Sequence, residues 1–424
     1  MNKLRFALPE EMKYREYVVA TYYIRIHARD DVIKKALAMA VGQTAGTWID
    51  VPGITKDMEE NHIGKVLGIS SIPPFELTGQ NEGENQDYLV QLAYPTINFD
   101  RSFPLMLTAL LGNDASTSAQ VKLVELSMPE RFAESFKGPK FGIEGLRSLF
   151  PGRSGPLTMN MIKPCTGISP KQGAEIFYRT ALGGIDIIKD DELLGNTSFS
   201  AAAERVREYN RASDAAYERT GKHTLYVCNI TDDVSRIEDT LKAVLEAGVK
   251  AVMMNYSVLG YSTFSWLAEK STVPVMGHYA VSGAFCEGIN SGMSSHLAAG
   301  KLPRLAGADF TMINTPYGGY PLTYEQYIKT SLSLTLPLYN IKPCMPVVGG
   351  GVHPGMVPLL VKDLGEDIII AAGGAVQGHP MGAAAGAKAL VDAADAVSRN
   401  VDLKEAAENS TELAKALELW GMRE

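Results

Sequence analysis

From residue 157 onward the chain alternates between short β-branched apolar runs and longer stretches of mixed polarity. The apolar runs fall at 157–163, 185–189, 224–229, 251–255, 273–278, 310–314, 346–348 and 368–371. They are short and bounded by turn-forming or polar residues, which is the pattern of strands. Between them, 201–220, 237–247, 323–334 and 382–397 carry apolar positions at helical spacing. Eight β/α alternations predict an α/β fold, a (β/α)8 barrel of the TIM type. An open doubly wound sheet is the other arrangement this pattern allows. The first 150 residues lack the rhythm. Strands are expected there near 17–24, 64–69, 88–93 and 120–126 and a helix near 31–40, giving a separate α+β domain of ferredoxin-like type. A stretch rich in glycine and proline at 139–155 is the expected link. The domains predicted are therefore 1–140 and 150–424.

Composition narrows what such a chain can do. Its 424 residues are 46% hydrophobic, enough to bury two cores, and mean hydropathy is near zero. The net charge of −8 and the lack of a basic stripe argue against a nucleic-acid partner. No membrane segment is visible, and the first residues carry charges without an apolar leader core, so a cytoplasmic location is expected. The four cysteines, Cys165, Cys228, Cys286 and Cys344, are far apart and read as reduced thiols.

The chemistry gathers where strands end. The run Gly183-Gly184-Ile185-Asp186-Ile187-Ile188 leads straight into Lys189-Asp190-Asp191-Glu192. Asp191 and Glu192 are hard oxygen ligands of the kind Mg²⁺ takes, with Lys189 beside them. Lys163 closes the first barrel strand and His278 the fifth. Gly349-Gly350-Gly351 follows the seventh strand and Gly373-Gly374 the eighth, where barrels often bind phosphate on bare backbone N–H groups. Taken singly, each has a structural explanation: a solvated acidic cap, a loop lysine, a core histidine, tight turns. Their shared position at the ends of five strands points instead to one catalytic face. His353 and His379, just beyond the glycines, read as structural.

Ile162-Lys163-Pro164, the run 183–192, Gly350 to His353 and Gly373 to Pro380 together resemble the large subunit of ribulose-1,5-bisphosphate carboxylase/oxygenase, over nearly the whole chain. Gly46-Thr47-Trp48 and Gly112-Asn113 resemble that family's N-terminal contributions, which complete the active site across a homodimer interface. By this resemblance Lys189 would be carbamylated by CO₂ and would bind Mg²⁺ with Asp191 and Glu192. Lys163 would move a proton at carbon, and Thr47, Trp48 and the glycines would bind a phosphorylated sugar.

Departures from the carboxylase pattern change the expected reaction. Cys165 stands where carboxylases carry a second lysine, and Asn314 to Gly319 has no lysine where their sixth loop carries one to meet CO₂. Tyr279 and Met312 replace an arginine and a histidine that hold a second phosphate. A CO₂-fixing carboxylase is therefore not expected; the implied substrate has one phosphate and a less polar far end. Residues 276–285, 305–310, 315–318 and 353–360 (MGHYAVSGAF, LAGADF, TPYG, HPGMVPLL) look like the RuBisCO-like proteins, nearest the branch holding the 2,3-diketo-5-methylthiopentyl-1-phosphate enolase of methionine salvage. That enolase has a lysine base where this chain has Asn113. Isomerisation of 5-methylthioribulose 1-phosphate to 1-methylthioxylulose 5-phosphate ranks first on this pattern. The enolase follows, and then decarboxylation of a phosphorylated 3-oxo sugar acid of the 3-oxo-isoapionate 4-phosphate type. Outside catalysis, the alternatives are a sugar-phosphate sensor or scaffold and a purely structural role.

Overall fold

The computed structural model describes residues 5–12, 15–47, 51–77, 80 and 83–423. The chain forms two compact units, Met1–Phe136 with Val281–Ala298 and Lys137–Ala280 with Ala299–Glu424.

In the first unit, β1 (Tyr17–His27), β2 (Lys65–Ile72), β3 (Asn85–Pro95) and β4 (Lys122–Ser127) form an antiparallel sheet in the order β2-β3-β1-β4. With the helices Val32–Ala45 and Phe103–Leu111 this is the β-α-β-β-α-β order of a ferredoxin-like fold. Alternate residues of β1, Val18, Ala20, Tyr22, Ile24 and Ile26, are buried, as a half-solvated sheet requires. Asp31 caps the first helix by accepting the Lys34 N–H at 3.0 Å, and Gly46 ends it at φ 74°, a left-handed conformation that glycine adopts freely.

The grouping differs from the expected 150–424 barrel domain at one segment, Val281–Ala298, which belongs with the first unit. Local hydrogen bonds explain it. Lys122 Nζ donates to the carbonyls of Cys286 and Gly288 at 2.6 and 2.8 Å. Leu123 N–H donates to Gly292 O, and Ser294 N–H donates back to Leu123 O, each at 2.9 Å.

The second unit holds a closed barrel of parallel strands: β5 (Leu157–Met161), β6 (Ile187–Lys189), β7 (Leu225–Asn229), β8 (Ala251–Asn255), β9 (Val275–His278), β10 (Phe310–Asn314), β11 (Met345–Gly349) and β12 (Ile369–Ala372). All eight expected strands are present, with ends shifted by up to two residues. Alternate side chains point inward: Leu157 and Met159, Ile187, Val227, Met253, Met276, Phe310 and Met312, Val347, and Ile369 pack the interior. Unbranched methionines fill a space too irregular for branched residues alone. Outward residues are also covered, by helices, so these strands read as continuous apolar runs.

A carboxylate fastens the opposite end of the barrel. Buried Asp309, just before β10, accepts the N–H groups of Phe141 and Gly142 on Oδ1 at 2.6 and 2.8 Å, and that of Val275 on Oδ2 at 2.8 Å. Asp309→Ala would leave three donors without their acceptor, two of them buried, and we expect it to lower unfolding stability by about 3 kcal/mol or more. Urea denaturation reads this directly, and an unchanged midpoint would show that the anchor contributes nothing.

Candidate active site

β6 ends at Lys189, and the chain turns at once into Asp190, Asp191 and Glu192. The Lys189 side chain has 0% exposure. Its Nζ donates to Asp190 O at 2.8 Å and lies 3.7 Å from Glu192 Oε2. Burial pulls its pKa below the usual lysine range, against the opposing pull of Glu192 and Asp191. Such an amine loses its proton more readily than a surface lysine.

Lys163 lies two residues past the end of β5, and its Nζ forms an ion pair with Asp191 Oδ2. Partial burial works against the ammonium, but Asp191 outweighs it and holds this lysine above its ordinary range. His278 closes β9, and its Nε2 stands 3.4 Å from Glu192 Oε2. Burial, helped by the charge on Lys189, keeps the imidazole well below its usual pKa. Ala280 N–H donates to Nδ1 at 3.1 Å, so the neutral ring carries its proton on Nε2, facing Glu192.

Lys163, Lys189, Asp191, Glu192 and His278 are thus brought together at the carboxyl ends of three strands. Among the described residues no three His, Cys, Asp or Glu side chains group as a metal site. The carboxylates of Asp191 and Glu192 supply two hard donors for a divalent cation, and a third anionic donor would strengthen its hold. A carbamate on Lys189 would supply it, and a buried amine of lowered pKa suits that conversion.

The glycines divide. Gly349 is the last residue of β11, directly above Met312, which packs the barrel interior rather than lining an open pocket. Gly350 and Gly351, at φ 87° and 91°, make the loop proper. Gly319 N–H donates to Gly350 O at 2.8 Å, and a Cβ on Gly318 would overlap that same carbonyl oxygen, so the loop after β10 lies flat on the loop after β11. Gly373 follows β12, with Lys163 Cε 3.8 Å from where its Cβ would be, and Gly374 opens a four-residue helix, Gly374–Gln377. Tyr279 donates its hydroxyl to Asn314 Oδ1 and stacks on His278, ring centres 5.4 Å apart.

In the first unit, Thr47 follows the Gly46 cap, and exposed Asn113 precedes the turn Asp114–Ala119. Gln43 places these segments side by side: its amide donates to Ala109 O at 2.9 Å and accepts the Asp114 N–H at 3.3 Å. Trp48 lies outside the described residues. His353 and His379 sit near Trp420, at ring distances of 6.5 and 6.1 Å. Cys165, Cys228, Cys286 and Cys344 are free. No helix among the described residues is long and apolar enough to cross a membrane.

Sequence reasoning missed a layer behind the acids. Asp190 belongs to the acidic run yet is fully buried against Arg205, and Asn229, the last residue of β7, donates its amide to Glu192 O at 3.2 Å. Asn229 could have been found as a polar residue at a strand end; Arg205 left no such mark.

Residues 142–420 match the family described as "Ribulose bisphosphate carboxylase large chain, catalytic domain", and residues 9–132 match its N-terminal domain. A ribulose bisphosphate carboxylase-like protein of Archaeoglobus fulgidus is 40% identical over 97% of this chain and 95% of its own. A 2,3-diketo-5-methylthiopentyl-1-phosphate enolase of Geobacillus kaustophilus is 36% identical over 96% of this chain and 98% of its own. Among solved structures, a rubisco-like protein from Alicyclobacillus acidocaldarius superposes with a TM-score of 0.88 at 34% identity, covering 96% of this chain and 100% of that one. A dimeric archaeal Rubisco from Hyperthermus butylicus superposes at 0.85 with 28% identity, covering 96% of each chain. The chain therefore belongs to the ribulose bisphosphate carboxylase large-chain family, where it is similar to the RuBisCO-like proteins and to the enolases among them.

Proposed function

We propose that this protein is an enzyme that enolises a phosphorylated keto compound with the help of Mg²⁺, with 2,3-diketo-5-methylthiopentyl 1-phosphate as the substrate to place first. The observation that carries the chemistry is the meeting of Lys163, Lys189, Asp191, Glu192 and His278 at the barrel's carboxyl face. The likeness to enolases at 36% identity moves enolisation ahead of the isomerisation expected from sequence pattern.

Asp191, Glu192 and carbamylated Lys189 would hold the cation, which when bound polarises a substrate carbonyl and stabilises the enolate. The chain's own groups do the rest. Lys163, released from its pairing when Asp191 turns to the cation, would take the proton from carbon at Nζ and pass it to the enolate oxygen. His278, held well below its ordinary range first by burial, would present its Nε2 N–H to a developing oxyanion once Glu192 turns to the cation. Backbone N–H groups at Gly350, Gly351, Gly373 and Gly374 would take a single phosphate. Thr47, Trp48 and Asn113 would complete the site from the other subunit of a homodimer working in the cytoplasm.

Asn113 favours a second reading. An asparagine cannot abstract a proton, so where it replaces the lysine of the enolase pattern, isomerisation of 5-methylthioribulose 1-phosphate by Lys163 becomes the alternative.

We expect purified protein with Mg²⁺ and bicarbonate to convert the diketo phosphate, followed by ultraviolet absorbance and proton NMR. Lys189→Ala and Lys163→Ala should each lower kcat by about 100-fold or more while remaining folded. Full activity in both variants would end the proposal, and conversion of 5-methylthioribulose 1-phosphate alone would transfer it to the isomerase.

Removal of Mg²⁺ with EDTA should abolish turnover and its return should restore it. Stabilisation by a sugar phosphate that persists without the metal, with no turnover under any condition, would instead mark a binding protein.

A further inference from the structure

Arg205 lies on the helix Ala202–Thr220, a segment whose surface is otherwise strongly polar, yet its side chain has 0% exposure. Its N–H donors reach both the loop that carries Asp191 and Glu192 and the neighbouring strand β7. At the start of that loop Nη2 and Nε donate to Asp190 Oδ2 at 3.0 and 3.3 Å. In its middle Nη1 donates to Gly195 O at 3.0 Å, and at its end the same nitrogen donates to Ser200 O. Nη2 also reaches Asn229 O at 3.5 Å.

The Asp190 carboxylate completes the clamp. Its Oδ2 accepts the Tyr226 hydroxyl at 2.7 Å and the Asn229 N–H at 2.9 Å, while buried Oδ1 has no hydrogen-bond partner. A carboxylate loaded on one oxygen and bare on the other is poorly arranged for stability, and buried ion pairs in general contribute little net stability. Geometry is what it provides. Asp190 O receives the Lys189 Nζ hydrogen bond, and Asn229, held by the same carboxylate, donates its side-chain amide to the carbonyls of Asp191 and Glu192 at 3.4 and 3.2 Å.

We infer that Arg205 is a positioning residue that sets the spacing of Lys189, Asp191 and Glu192 for a divalent cation, by tying the start, middle and end of their loop to one planar guanidinium. This rests on the proposed metal-binding function. A lysine cannot substitute, because its single ammonium cannot reach carbonyls on three sides at fixed angles.

The test uses the full-length protein and Mn²⁺ as the probe, with bicarbonate present, its affinity read by electron paramagnetic resonance. Arg205→Lys should bind Mn²⁺ at least about 10-fold more weakly while retaining the parent's circular dichroism, the scale seen when groups behind metal ligands are removed. Its activity should recover as Mg²⁺ is raised, with kcat approaching the parent's. Tyr226→Phe removes one donor to Asp190 but none of the ties at 195 and 200, and it should stay within about threefold of the parent affinity on the same scale. If Arg205→Lys does not fold, Asp190→Asn, which weakens the same clamp without changing its shape, should show the loss instead. A parent protein that binds Mn²⁺ and an equal affinity in the folded variant would overturn the inference alone. A parent that binds no Mn²⁺ would overturn it together with the proposed function.

Discussion

A lysine side chain with no exposed surface is the constraint around which the barrel mouth is arranged. An ammonium group taken out of water is destabilising unless charge and hydrogen bonds replace its hydration shell. Around Lys189 that replacement is only partial: one carbonyl at 2.8 Å, one carboxylate oxygen at 3.7 Å and a methionine sulfur at 3.6 Å. The shortfall is what pulls the amine toward its neutral form. The surrounding residues follow from it. Asp191 pairs with Lys163, and His278 is held well below its ordinary range first by its own burial and then by the charge on Lys189.

The barrel and the first unit were legible in outline because each rests on a simple period. Short β-branched runs bounded by glycine and polar residues, such as that around Ile187 and Ile188, favour strands, and the alternation in Tyr17–His27 places every second side chain in the core. Lys163, Lys189, Asp191, Glu192 and His278 were legible for a related reason. Charges that follow an apolar strand lie at the barrel's carboxyl end, and alternation decides which of them face inward.

What escaped is what depends on contacts far apart in the chain. Arg205 occupies a helix that reads as solvated, and only the close approach of the loop after β6 reveals that its guanidinium faces inward. Asp190 was indistinguishable from its acidic neighbours, although strand alternation turns it outward from the barrel toward that helix. The attachment of Val281–Ala298 to the first unit is set by backbone groups of β4 and by Lys122, which no local pattern announces. Gly349 belongs to a strand because it pairs in register with Asn314 of β10, a placement independent of its side chain.

The apposition of Gly318 on Gly350 has an evolutionary consequence. Two backbones meeting without room for a β-carbon can change only together: a side chain acquired at 318 would push the loop after β10 off the loop after β11, and the glycine loop would lose the partner of its carbonyl. A lineage starting from this chain could not reach a lysine-bearing sixth loop at that position by one substitution. At this contact the two loops form a single heritable unit, so a side chain at 318 would persist only alongside a compensating change in the loop after β11.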